Sequence, residues 1–355
     1  MPASETKKRF RVLDQLRGFF IVVIIIDHLS RWPSLWSAIT GKAWLWVTAA
    51  EGFVIISGLL VGYVRGFKNR SQSFQKVSGL LIRRGLLLYL WSIIGAVVYT
   101  AIIWYVPLQG GAPGVDIEKG QWFELFSKSL LLQYTSVWTH FLSLYAVFLI
   151  ASPIAIWLFR QNKAWAVVVI SFVLLGIGWM TKSEMLQWQF LFFIPCVAGF
   201  YLETIGAWWQ KQTAQTRRRI TVTTITIMAL TIAISVIVTF YPSLAPVIAQ
   251  LSQPFFEKDS ISLARAAMAF LWFIGVYFMF THFGRFISKG LGWLLEPIGT
   301  HSLTAYIVHG LVLCSISFFT LSGSNFIINT LLGAIAVIAV WAIIKTPGIN
   351  QVIPR

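Results

Sequence analysis

Residues 14–28 read DQLRGFFIVVIIIDH, and Arg17 and His28 in this stretch are the pair whose types and spacing could do chemistry. An imidazole takes up and returns protons near neutral pH, and so can act as a general base on a hydroxyl. A guanidinium pairs well with phosphate oxygens. On an α-helix eleven residues make three turns plus about 20°, so Arg17 and His28 share one face about 16 Å apart. Asp14 falls on the same stripe, about 40° off, below Arg17. Asp27 points about 100° away from His28 and so belongs mainly to another side.

Other polar groups lie at comparable positions in apolar surroundings. Glu51 sits roughly 10 Å below the Trp44 end of the next apolar run, and His28 about 6 Å below Trp32, by the helical rise. Matching depth makes Glu51, with Asp27, a candidate to orient the His28 imidazole and stabilise its protonated form. His140 opens a later run beside Gln133 and Tyr134, Arg265 lies about one turn into another, and His309 follows Tyr306 by one turn. His140, Gln133, Arg265 and His309 are therefore candidate substrate-binding residues. Ionisable groups in a bilayer are costly and mark site candidates by default. Against this, a single intramembrane His can be a hydrogen-bonded packing residue, and Arg17 can be an anchor reaching the inner boundary. Base and nucleophile remain equally open for His28, and an Asp/His/Glu proton relay in a proton-coupled transporter or lipid-linked sugar flippase stays a second reading. Zinc spacing, a phosphate-cradling glycine loop and a nucleophile elbow are not present, and no metal is expected.

The elements that position these groups are membrane spans. The 355 residues are 57% hydrophobic and only 11% charged, against roughly 25% charged in a soluble domain. This composition calls for an all-α polytopic integral membrane protein, a single domain over residues 1–355. Runs near 20 residues, enough to cross about 30 Å of hydrocarbon, fall at 13–33, 44–64, 80–105, 139–159, 164–181, 187–208, 219–240, 261–281, 300–320 and 325–345. With the N terminus inside, 21 of the 28 Lys and Arg residues fall in inner segments. That bias predicts ten spans with both termini cytoplasmic. It also explains the net charge of +16 as a topology signal, so no nucleic-acid partner is expected. The longest outer loop, 106–138, holds the turn-rich PLQGGAPGVD and then QWFELFSKSLLLQY, whose apolar spacing suits a helix along the membrane surface. Gly58 and Gly62, and Gly176 and Gly178, mark close helix packing. Ser57 suits a helix–helix hydrogen bond better than a nucleophile.

Arg17, ten intervening residues and His28 resemble the R-x10-H signature of bacterial membrane acyltransferases of the acyltransferase-3 type. FRVLDQLRGFFIVVIIIDH and EGFVIISGLLVGY resemble the openings of the branch containing the OpgC-type succinyltransferases of osmoregulated periplasmic glucans. LLLQYTSVWTHFLSLYAVFLIASP, WQFLFFIPCVAGFYL and IGTHSLTAYIVHG are similar to further segments of that branch, so the likeness spans residues 9–345. The heparan-glucosaminide acetyltransferase-like branch shares the LDxxRG opening. The resemblance implies transfer of a succinyl or acetyl group from cytoplasmic acyl-CoA to an extracytoplasmic glycan or other envelope acceptor. It implies a bacterial cytoplasmic (inner) membrane location amid membrane lipid, His28 as the central catalytic residue, and Arg17, with Asp14 beside it, on the acyl-donor path. Succinyl-CoA or acetyl-CoA would be a co-substrate, with no permanently bound cofactor.

Overall fold

The computed structural model describes residues 3–106, 108, 113–319, 323 and 325–349, with side chains from residue 11 onward. The rest of PLQGGAPGVD and the basic residues at 7–9 and 355 lie outside the described residues or side chains. Among the described residues the secondary structure is helical, without strands. In chain order the helices are α1 (Ala3–Leu29), α2 (Ser37–Thr40), α3 (Ala49–Val61), α4 (Phe74–Tyr105), α5 (Trp122–Leu130), α6 (His140–Arg160), α7 (Ala164–Thr181) and α8 (Glu184–Phe200). They continue with α9 (Leu202–Lys211), α10 (Ala214–Phe240), α11 (Pro246–Ser252), α12 (Leu263–His282), α13 (Gly284–Gly290), α14 (Gly292–Thr300), α15 (Ser302–Phe319) and α16 (Phe326–Lys345).

Eight of these elements are long and apolar enough to cross a membrane, and up to nine if the bent pair α8–α9 forms one span. The protein is therefore a polytopic helical membrane protein. The remaining expected span, 13–33, corresponds to α1, whose apolar half carries Asp14, Arg17 and Asp27 and so falls short of a plain apolar span. Two other expected runs differ in detail. The run at 44–64 is not helical until Ala49, because Thr48 caps the helix there, and it continues through a π-helical turn at Gly62–Lys68. The run at 187–208 is broken at Tyr201 and bent by 62°. The bend brings Glu203 to Tyr63, whose hydroxyl donates to Glu203 Oε1 at 2.6 Å. Hydropathy sees an apolar stretch but not a change of direction within it.

The chain forms two compact units, each assembled from separate segments. The first comprises 1–16, 43–81 and 151–292; the second comprises 17–42, 82–150 and 293–355.

In the first unit α3 packs on α8 with almost no side chain between them. A Cβ on Gly58 would lie 2.0 Å from the Phe192 carbonyl oxygen, and one on Gly62 would lie 1.8 Å from that of Cys196. Gly199 of α8 approaches the Leu59 carbonyl in the same way, at 2.0 Å. Small residues let backbones meet at this range, where dispersion and packing hold helices together in lipid. Gly178 likewise meets Gln187, but Gly176 faces open space and makes no close approach. Ser57 does not bridge helices: its hydroxyl donates to the Phe53 carbonyl of its own helix. Gly62→Ala is expected to destabilise by about 1–3 kcal/mol, the usual cost of overpacking. The melting temperature of the purified protein in detergent reads this, with Gly79→Ala, an exposed helical position with nothing within 4 Å, as the control that melts no lower than wild type. Equal melting of the Gly62 variant and the wild type would show that the contact does not matter.

In the second unit the carboxyl-terminal helices α15 and α16 pack on each other. A Cβ on Gly18 of α1 would strike the Leu295 carbonyl oxygen of α14 at 2.0 Å. Tyr99 of α4 fills the space beside Gly310 and donates its hydroxyl to the Ile307 carbonyl at 2.5 Å. Trp138 meets the Tyr99 ring edge-on. These contacts fix the backbone of α15 on both sides of His309. The helix expected within the outer loop is present as α5, with Leu125 and Ser129 buried and Phe123, Phe126 and Leu130 exposed.

Candidate active site

The second unit brings two histidines together. His28, near the end of α1, places Nδ1 2.8 Å from Nε2 of His309 on α15. The rings lie nearly parallel, with centroids 5.1 Å apart. His309 is fully buried and its Nδ1 donates to the carbonyl of Tyr306, one turn back on its own helix. The Tyr306 ring lies 5.0 Å from that of His309 and 6.4 Å from that of His28. His28 keeps partial exposure, whereas His309 has none.

His140, at the start of α6, is within electrostatic reach of His28. Its Nδ1 lies 2.9 Å from the Thr135 hydroxyl. Gln133 is exposed just beyond α5, where its backbone N–H bonds the Lys128 carbonyl. Asp27 is half-buried, and His28 Nδ1 is paired with His309. At the other end of the α1 stripe Arg17 is half-buried and its Nη2 donates to the Ser302 hydroxyl at 2.5 Å. Arg17 and His28 lie on one unbroken helix, so the spacing of about 16 Å between their positions along the axis holds. Asp14 is half-buried one turn earlier, in the first unit, next to Gln15, which bonds Ser288.

In the first unit Glu51 pairs with Arg265. Thr48, Ala49, Ala50 and Glu51 read as a T-x-x-E capping box, and the structure forms one. Glu51 Oε2 accepts from the Thr48 N–H at 3.0 Å and the Thr48 hydroxyl at 2.5 Å. Oε1 accepts from Arg265 Nε at 2.9 Å and Nη2 at 2.5 Å. A carboxylate offers about four acceptor positions, and all four are filled. Its described partners are thus Thr48 and Arg265. Arg265 is equally occupied: Nη1 donates to the carbonyls of Glu257, Lys258 and Ser260 at 2.9–3.0 Å. The guanidinium also lies over the Trp188 ring. With both side chains almost wholly buried, Arg265 ties the 257–260 segment and α12 to the start of α3. Gln187 of α8 accepts from the Ile261 N–H and the Ser260 hydroxyl and reinforces this tie.

Sequence reasoning found the members of both pairs but not their pairing. The capping box was the readable signal for Glu51. Nothing local in the sequence joins His28 to His309, 281 residues away.

The long apolar helices define a multi-pass membrane protein, and its second unit holds a histidine pair between α1 and α15. Residues 8–347 match the family model described as OpgC protein, and the chain belongs to that family. The family points to a membrane acyltransferase acting on glucans. No curated protein and no solved structure matches the chain.

Proposed function

We propose that this protein is an O-acyltransferase of the bacterial inner membrane. It moves a succinyl or acetyl group from cytoplasmic acyl-CoA to a hydroxyl of an extracytoplasmic glycan. The observation that carries the reading is the α1 stripe within an OpgC-family chain: a half-buried guanidinium and, about 16 Å further, a partly exposed imidazole backed by a buried one. An acyl-CoA has the matching form, with phosphates at one end and a thioester at the end of a long arm. Arg17 holds the phosphates from the cytoplasmic side, and Asp14 borders that mouth. At His28 the imidazole removes the acceptor hydroxyl proton as the oxygen attacks the thioester carbonyl. The carbon–sulfur bond breaks, and the departing thiolate takes the proton back from the imidazolium. Proton and electron pair balance without a metal or redox partner. His140 and Gln133 border the acceptor side.

The transporter reading loses one of its members, since every acceptor position of Glu51 is filled by Arg265 and Thr48. Mass spectrometry of envelope glycans from cells with and without the protein tests the function. Loss of acyl substituents supports it, and identical glycans contradict it. Arg17→Ala is expected to raise KM for acyl-CoA about 10- to 100-fold, the worth of one or two charge-assisted hydrogen bonds, with KM for the glycan unchanged. Unchanged donor kinetics would remove Arg17 from the donor path.

A further inference from the structure

We infer that His309 is a positioning residue that holds His28 in the tautomer protonated on Nδ1, leaving Nε2 bare to receive the acceptor's proton. The inference rests on the reading of His28 as the base and gives that base its orientation.

The directions of the hydrogen bonds follow from the end of the chain. A backbone carbonyl accepts and never donates. The Tyr306 carbonyl therefore requires the proton to be on His309 Nδ1. A neutral imidazole with Nδ1 protonated has a bare Nε2. That bare nitrogen lies 2.8 Å from His28 Nδ1, so the proton between the rings belongs to His28. The neutral His28 ring then has its lone pair on Nε2, the nitrogen away from His309. The reverse direction would require His309 to carry protons on both nitrogens, an imidazolium with no exposure to solvent, which burial disfavours strongly.

The arrangement does for His28 what a carboxylate does in a hydrolase triad, fixing tautomer and ring plane, with a neutral ring in place of the anion. In a span a neutral orienter avoids the desolvation cost of a second charge. When His28 takes the proton, its Nδ1–H becomes a charged donor to His309, and charge-assisted hydrogen bonds are about twice as strong as neutral ones. The interaction thus strengthens as the transition state forms, which is the form of binding that accelerates a step. Tyr99 supports the support: its hydroxyl on the Ile307 carbonyl and its ring against Gly310 hold the α15 backbone that aims His309.

The tautomer can be read without turnover. The protein, 15N-labelled at its five histidines and reconstituted in nanodiscs, gives ring proton–nitrogen correlations that separate Nδ1–H from Nε2–H, with His28→Ala assigning the His28 signals. The expected result is Nδ1–H at His28 in the wild type, kept in His309→Gln, whose amide oxygen still accepts, and lost in His309→Leu. Nε2–H at His28 in the wild type, or no change in His309→Leu, would overturn the inference. In parallel, His309→Leu should lower kcat about 10²- to 10⁴-fold with little change in either KM, and His309→Gln should recover most of it. Wild-type kcat in His309→Leu would also overturn it. Full transfer by His28→Ala would instead remove the base reading, while the wild-type spectrum still decides the tautomer.

Discussion

His28→Ala is expected to reduce acyl transfer to background, a fall of at least about 10²- to 10⁴-fold from loss of the general base alone. The substitution also leaves His309 Nε2 without its partner, and an unsatisfied buried acceptor costs about 1–3 kcal/mol. A loss of activity in that variant alone therefore mixes chemistry with structure. His28→Gln separates them. Its amide N–H can donate to His309 in place of the imidazole, but the side chain does not take up a proton near neutral pH. Melting close to wild type with transfer still at background assigns the loss to the base. Near-normal turnover in either variant sinks the proposed mechanism.

Breaking the Glu51–Arg265 pair is expected to be the most destabilising single change away from the histidines. Both side chains are almost fully buried, and removing one partner of such a pair strands the other charge at a cost of about 3–5 kcal/mol. Glu51→Ala leaves the guanidinium without its anion and uncaps the start of α3. Arg265→Met leaves the carboxylate alone and also removes the donor to three carbonyls of the 257–260 segment. Arg265→Met should therefore be the worse of the two. The double variant Glu51→Leu/Arg265→Met should melt higher than Arg265→Met alone, because no buried charge remains. If each single variant melts within a degree or two of wild type, the pair does not hold the first unit together. A substrate-binding role for Arg265 predicts the opposite pattern: unchanged melting and a raised acceptor KM.

The same two pairs show how much the sequence discloses. Hydropathy locates the long helices because a span must be apolar over a fixed length, and 164–181 coincides with α7. It misplaces the start of α3, where Trp44–Trp46 are apolar without being helical, and it runs through the bend at Tyr201. Polar residues in apolar runs disclose the site because each is costly there. Helical periodicity then puts Arg17 and His28 on one face, since that relation lies within one element. Pairing is another matter. Depth matching sets Glu51 beside His28, yet its partner is Arg265, 214 residues away, and the partner of His28 is His309. Depth is a one-dimensional coordinate, whereas partners follow from which helices are neighbours. The close approaches at Gly58, Gly62 and Gly199 that set α3 against α8 are likewise visible only once the helices are packed. Gly176, with the same local signature as its neighbour, faces open space.

The most direct test of vectorial acyl transfer is a sealed proteoliposome. Purified protein is reconstituted, protein oriented with its basic face inward is selected, acyl-labelled succinyl-CoA or acetyl-CoA is enclosed, and a glucan is supplied outside. Label appearing on the external glucan, with the CoA retained inside and with none transferred by His28→Gln, is the predicted result. Intact thioester inside, together with proton-coupled uptake of the sugar, would contradict it.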